Sequence, residues 1–162
     1  MTTQFPPEFQ RRTILKISWR LLPLIVVAYL VAYIDRTNIA FASLTMNKDL
    51  GLSAYVYGLG AGIFFIGYAL FEVPSNVVLA RIGARVWIAR IMITWGIVSG
   101  LMAATAGPAS FLTLRFLLGI AEAGFFPGII FYLSNWFPAA YRGRVISALF
   151  LAQPVSNALA SI

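Results

Sequence analysis

The chain has 162 residues, of which 60% are hydrophobic and 10% charged, against about 25% charged in an ordinary soluble domain. So little polar surface cannot cover a water-soluble globule, and disorder, which needs low hydrophobicity and high charge, is excluded by the same figures. Twelve basic residues against five acidic give a net charge of +7, and the basic ones lie at the ends of apolar runs rather than along one stripe, which favours membrane orientation over nucleic-acid binding.

Residues 1–20 read as a polar tail carrying Arg11, Arg12, Lys16 and Arg20. Apolar stretches follow at 21–44, 57–79, 86–106, 111–137 and 145–162. Each is near the ~20 residues that cross a ~30 Å hydrocarbon core. They are continuous rather than alternating, which predicts helices and not barrel strands. The expected fold class is therefore an all-α membrane protein with about five transmembrane helices. The first run is too long for a cleavable signal peptide. Arg81, Arg85 and Arg90 cluster at the second connection, and Arg142 and Arg144 at the fourth. The first connection holds only Lys48 with Asp49, and the third, near Gly107 and Pro108, carries no charge. The positive-inside rule then predicts a cytoplasmic N-terminus in the cell's inner membrane. The last run stops within apolar sequence, so the chain is expected to be part of a longer protein; a natural five-helix protein is the alternative.

Ionisable groups within a span cost at least ~2.5–3.5 kcal/mol each at its centre and call for a reason. The cations so placed are Arg36 and Arg115, and the acids are Asp35, Glu72 and Glu122. From helical rise, Arg36 and Arg115 lie ~8 Å and ~6 Å from the outer edge, and Glu122 ~10 Å deeper than Arg115. Arg115 and Glu122 are two turns apart and share a helix face. Asp35 and Arg36 point about 100° apart, which suggests Arg36 toward a substrate and Asp35 toward Arg115. Salt bridges that only lock helices together are one reading. A fixed cation beside carboxyl groups that load and release protons is the other, as ion-coupled transport requires. Tyr33, Tyr68 and Gln153 add hydrogen-bonding groups near these depths, and Glu72, two residues before Pro74, suits gating or packing.

The small-residue spacings at Gly58, Gly60 and Gly62, at Gly96 and Gly100, and at Gly124 and Gly128 permit close helix contact. Pro74, Pro127 and Pro154 are candidate kinks, and Trp19, Trp87 and Trp136 are candidate interfacial anchors. With neither Cys nor His, no metal site or cofactor is expected, and no nucleophile–base constellation supports an enzyme.

Two long segments carry a family pattern. "YLVAYIDRTNIAFASLTMNKDLGLS" and "GAGIFFIGYALFEVPSNVVLARIGARVWIARIMITWG", followed by "RFLLGIAEAGFFPGIIFYLSNWFP" and "RGRVISALFLAQPVSNAL", resemble the major facilitator superfamily, in its anion:cation symporter branch. The loop pattern between the second and third spans is matched at Arg81, Gly83 and Arg85, with Asn76 for the usual glycine and Ala80 for the usual aspartate. The resemblance implies a major facilitator fold, here an incomplete N-terminal six-helix bundle over 21–162 that lacks the opposing half. It also implies a proton-coupled importer of organic acids such as tartrate, hexonates, hexarates or phthalate, and the complete protein is expected to be monomeric. By the same resemblance Arg36 binds the substrate carboxylate, with Tyr33, Tyr68 and Gln153 lining the pocket. Asp35 and Glu122 are the proton-linked acids, and Arg115 is the arginine of the fourth helix's signature. A membrane anion sensor or structural subunit that binds without transporting is the alternative function.

Overall fold

The structure, a computed structural model, describes residues 7–150 together with Pro154 and Val155. Every regular element among them is helical: α1 (Pro7–Asp49), α2 (Ala54–Ile82), α3 (Ala84–Leu101), a short 3-10 turn (Met102–Ala104), α4 (Pro108–Glu122), α5 (Phe125–Trp136) and α6 (Ala139–Phe150). Four segments are long and apolar enough to cross a bilayer: Glu8–Arg36, Ala54–Ile82, Ala84–Ala104 and Pro108–Trp136. Of the expected span at 145–162, the described part is the end of α6 with Pro154 and Val155.

The helices outrun the apolar stretches for local reasons. α1 starts at Pro7, well before Leu21, with Glu8 in its first turn. Proline's fixed φ suits the first helical position, and an acid there meets the positive end of the helix dipole. Hydropathy locates the membrane-crossing part of a helix and is blind to its basic extension, so the tail read over 1–20 is helical from Pro7. At the start of α2, Ser53 accepts the Val56 N–H on its hydroxyl at 3.2 Å, a side-chain cap for an otherwise orphaned donor. At the start of α4, Pro108 stands at the first position, and Ser110 reaches back to accept the Gly107 N–H at 3.1 Å.

Two compact units divide the chain: Met1–Thr37 with Leu133–Ile162, and Asn38–Tyr132. In the second, α4 packs on both α2 and α3. Phe64 and Leu79 of α2, Ile91 and Trp95 of α3, and Phe111 and Leu118 of α4 form its core. The Trp95 and Phe125 rings meet at 6.0 Å. Gly83 alone joins α2 to α3; its φ of 98° lies where a side chain would be strained. The outward faces are apolar: Phe65, Ile66, Leu70 and Val73 on α2, with Ile93 and Ile97 on α3, are exposed. Lipid acyl chains can cover such faces, whereas water would penalise them.

The expected fourth helix, 111–137, is two helices. α4 ends at Glu122, Ala123 is extended with ψ of 128°, and Gly124 has φ of 83°. The break precedes Pro127, which was expected to bend the span. Proline has no N–H to return to the Ala123 carbonyl, four residues back. The Ser75 hydroxyl of α2 donates to that carbonyl instead, at 2.7 Å. Pro127 itself sits in the first turn of α5, where its missing donor costs no intrahelical bond.

In the first unit, Ile25, Ala28, Tyr29 and Ala32 are buried along one stripe of α1, the three- and four-residue spacing of a packed helix face. Leu133, Phe137, Val145 and Leu149 are buried on α5, the turn after it, and α6. The Arg142 guanidinium closes the end of α5, donating through Nε to the Phe137 carbonyl at 3.0 Å and through Nη2 to the Ser134 carbonyl at 2.9 Å. A cation there also meets the negative end of the helix dipole.

Candidate functional site

The site grows from the contact of α2 with α4. Phe111, Arg115, Leu118 and Glu122 recur at three- and four-residue intervals, so they line one face of α4, and all four are buried. Arg115 is 6% exposed and Glu122 1%. They are the only charged residues buried to that degree among the described residues, on a segment long enough to span a bilayer.

Local sequence explains how the guanidinium is held. Gly60 of α2 has no side chain, and the Phe111 ring occupies the space a β-carbon would take. The helices thus approach closely enough for Arg115 Nε to donate to the Gly60 carbonyl at 3.3 Å. One turn on, the Arg115 guanidinium carbon lies 4.7 Å from the Phe64 ring centroid. A desolvated cation over an aromatic face gains roughly 2 kcal/mol. The Tyr57 ring stacks on Phe111 at 6.3 Å, and the Tyr57 hydroxyl donates to the Ile39 carbonyl at 3.4 Å. Half-buried Tyr68 lies beside Phe64, ring to ring at 6.2 Å. Tyr68 and Arg115 therefore share Phe64 as a neighbour.

Glu122 is the last residue of α4, where unsatisfied carbonyls gather partial negative charge. The backbone just beyond it is fixed by a relay of groups. Arg90 places its guanidinium 4.1 Å from the Trp87 ring centroid. Trp87 Nε1–H donates to the Ser75 hydroxyl oxygen at 2.9 Å, and Ser75 donates in turn to the Ala123 carbonyl. Trp87, expected as an interfacial anchor, thus turns its polar edge inward, whereas Trp19 and Trp136 are exposed. A β-carbon on Gly124 would collide with Ser75 Oγ, so glycine is required there by both space and φ. Replacing Ser75 by Ala strands a buried carbonyl and an indole N–H together. Each unsatisfied group costs about 1–3 kcal/mol, so the Tm in detergent should fall clearly, while Ser53→Ala at the exposed cap should lower it less. An unchanged Tm for Ser75→Ala would remove the relay's structural role.

Tyr33, Asp35 and Arg36 are half-buried on α1, in the other unit, with the Tyr29 and Tyr33 rings 5.1 Å apart. Gln153 lies outside the described residues. Of the small-residue spacings, Gly60 and Gly124 make close contacts and Gly128 meets Leu79, but Gly58, Gly62, Gly96 and Gly100 face open space. Spacing alone does not say which side of a helix meets a neighbour. The closest approach is at Gly119, where a β-carbon would strike the Phe64 carbonyl; it stands alone in the sequence without a partner glycine four residues away. Ser75 carried a usable signal, a hydroxyl at depth directly after Pro74 that needs an internal partner. Phe64 carried none, being one apolar residue among many.

A multi-pass helical membrane protein with a buried Arg–Glu face on an enclosed span is thereby defined. The Major Facilitator Superfamily profile matches residues 25–162, and the chain belongs to that family. The relatives that match most of its length carry transporter names. It is 60% identical, over 95% of its length and 34% of the relative's, to a protein of Agrobacterium vitis named "Putative tartrate transporter". It is 52% identical, over 89% of its length and 33% of the relative's, to "Putative metabolite transport protein NicT" of Pseudomonas putida. A quinolone resistance transporter of Acinetobacter baumannii is 49% identical over 94% of the chain and 35% of that protein. The chain thus spans about one third of the length of these relatives.

Proposed function

We propose that the chain is part of a secondary transporter of the inner membrane, N-terminus cytoplasmic, that carries a small organic anion together with protons by alternating access. The observation that carries this reading is the burial of both Arg115 and Glu122 on one face of a membrane-spanning segment. Two ionisable groups in that position cost several kcal/mol, an investment that transport chemistry explains better than packing. Arg115, always charged, sets a fixed positive field, while Glu122 can be charged or neutral. Asp35 is the second proton-carrying acid. Arg36 receives the substrate carboxylate, and Tyr33, Tyr68 and Gln153 donate hydrogen bonds to it. Nine basic residues on one set of connections against Lys48 on the other support the orientation. The tartrate name attached to a 60% identical relative makes a hydroxylated dicarboxylate the first substrate to test.

The discriminating experiment is counterflow. Vesicles bearing a full-length polypeptide that carries residues 1–162 are loaded with unlabelled tartrate and exposed to labelled tartrate. Transient accumulation of label is the expected result. Saturable binding with no exchange would replace transport by an anion sensor.

A further inference from the structure

The transport reading leaves one cluster of charge unused. On α1, Arg11, Ile14, Leu15, Ser18 and Leu22 recur at helical spacing and line one wall of an open groove of about 290 Å³. The opposite wall comes from the start of α6, with Tyr141, Arg144 and Val145. All of these residues belong to one compact unit. Arg11 and Arg144 thus stand on the two walls of a groove that Ser18 and Tyr141 also line. Glu8 is the one acid within a turn of Arg11, and Arg12, Lys16 and Arg20 add to the positive field along this part of α1.

A second groove continues from the first. Ser18 and Leu22 line both, and the second adds Trp19, Pro23 and Val26, in about 330 Å³ of nearly wholly apolar space. Pro23 shapes it, having no N–H to give the Trp19 carbonyl within α1. Trp19 is 79% exposed beside it, as an indole at a membrane surface is. The order along the helix is therefore cationic and hydroxyl-bearing at Arg11, then aromatic at Trp19, then apolar toward Val26, where the most apolar part of the span begins.

We propose that these joined grooves bind one anionic phospholipid, its phosphate between Arg11 and Arg144 and the first part of an acyl chain along Trp19, Pro23 and Val26. Paired arginines match the oxygens of a phosphodiester. The adjoining apolar groove selects a lipid over free phosphate, because a headgroup alone leaves it empty. The proposal rests on α1 lying in the membrane and not on transport, so it stands or falls separately from the proton-coupled reading.

Native mass spectrometry of the full-length polypeptide that carries residues 1–162, released from micelles containing phosphatidylglycerol, tests it. Each basic side chain near an anionic lipid surface contributes roughly a factor of five, so Arg11→Gln with Arg144→Gln should cut retained phosphatidylglycerol by about thirty-fold. Arg81→Gln with Arg85→Gln, equally basic losses elsewhere, should leave it unchanged. Val26→Glu should lower retention of the two-chain lipid while both arginines remain. Circular dichroism of each variant verifies its helix content, and Arg11→Gln alone serves where the double variant does not fold. Undiminished retention in the arginine variants would overturn the proposal. So would equal retention of phosphatidylcholine, or equal uptake of glycerol phosphate, which would mark an anion site without a lipid.

Discussion

Glu122→Gln is expected to abolish proton-driven accumulation of substrate while leaving counterflow largely intact. Glutamine keeps the volume and polarity of a protonated carboxyl group but cannot give up a proton. A carrier locked in the proton-loaded form can still exchange one substrate molecule for another, because exchange needs no net proton movement. It cannot use a pH gradient. One pH unit is worth 1.36 kcal/mol per proton, or about tenfold accumulation for each coupled proton. In vesicles bearing the full-length polypeptide, the variant's inside-to-outside ratio should therefore fall toward one, from about ten for each proton coupled in the parent. Glu122 is 1% exposed and closes α4, so misfolding is the competing cause of a loss; retained counterflow excludes it. Unchanged pH-dependent accumulation by Glu122→Gln would remove this residue from the coupling.

Gly119→Leu should have the largest structural effect. A β-carbon there meets the Phe64 carbonyl oxygen, with the Tyr68 nitrogen 3.0 Å away. Both obstacles are backbone atoms of α2, which cannot rotate aside as a side chain would. Overpacking a well-filled interior costs about 1–3 kcal/mol even where side chains can yield, and here the helices must separate. Separation also draws Gly60 and Phe64 away from Arg115, leaving a buried cation without its carbonyl and ring. The expected outcome is loss of a cooperative thermal transition and aggregation on size exclusion. Gly96→Leu, at a position with nothing within 4 Å, should behave as the parent. Equal stability for the two variants would contradict the described contact of α2 with α4.

The sequence shows some of this arrangement directly and hides the rest for physical reasons. Composition declares the membrane, because apolar surface in such excess has no other solvent. The seven-residue interval from Arg115 to Glu122 puts both on one face, and both are buried. The break between α4 and α5 is harder to see. The run Ala123-Gly124-Phe125-Phe126-Pro127 is as apolar as its flanks, so hydropathy passes through it. Pro127 announces a disturbance, but the turn itself is made by Gly124's positive φ and by a hydroxyl from α2. That hydroxyl is Ser75, distant in sequence, and no periodicity connects the two. Trp87 shows the same limit: its position at a span's end suggests an interfacial role, while its indole nitrogen is committed inward to Ser75. Gly119 needs a map of neighbours, since glycine tolerates close approach whether or not a neighbour uses it.

Proton-linked movement of an organic anion is the role proposed for the buried face of α4. Lightly buffered proteoliposomes bearing the full-length polypeptide, given tartrate outside and no imposed gradient, test it most directly. External pH is predicted to rise as substrate enters, with the rise absent in Glu122→Gln. Entry of tartrate by the parent protein with no change in external pH would rule out proton coupling.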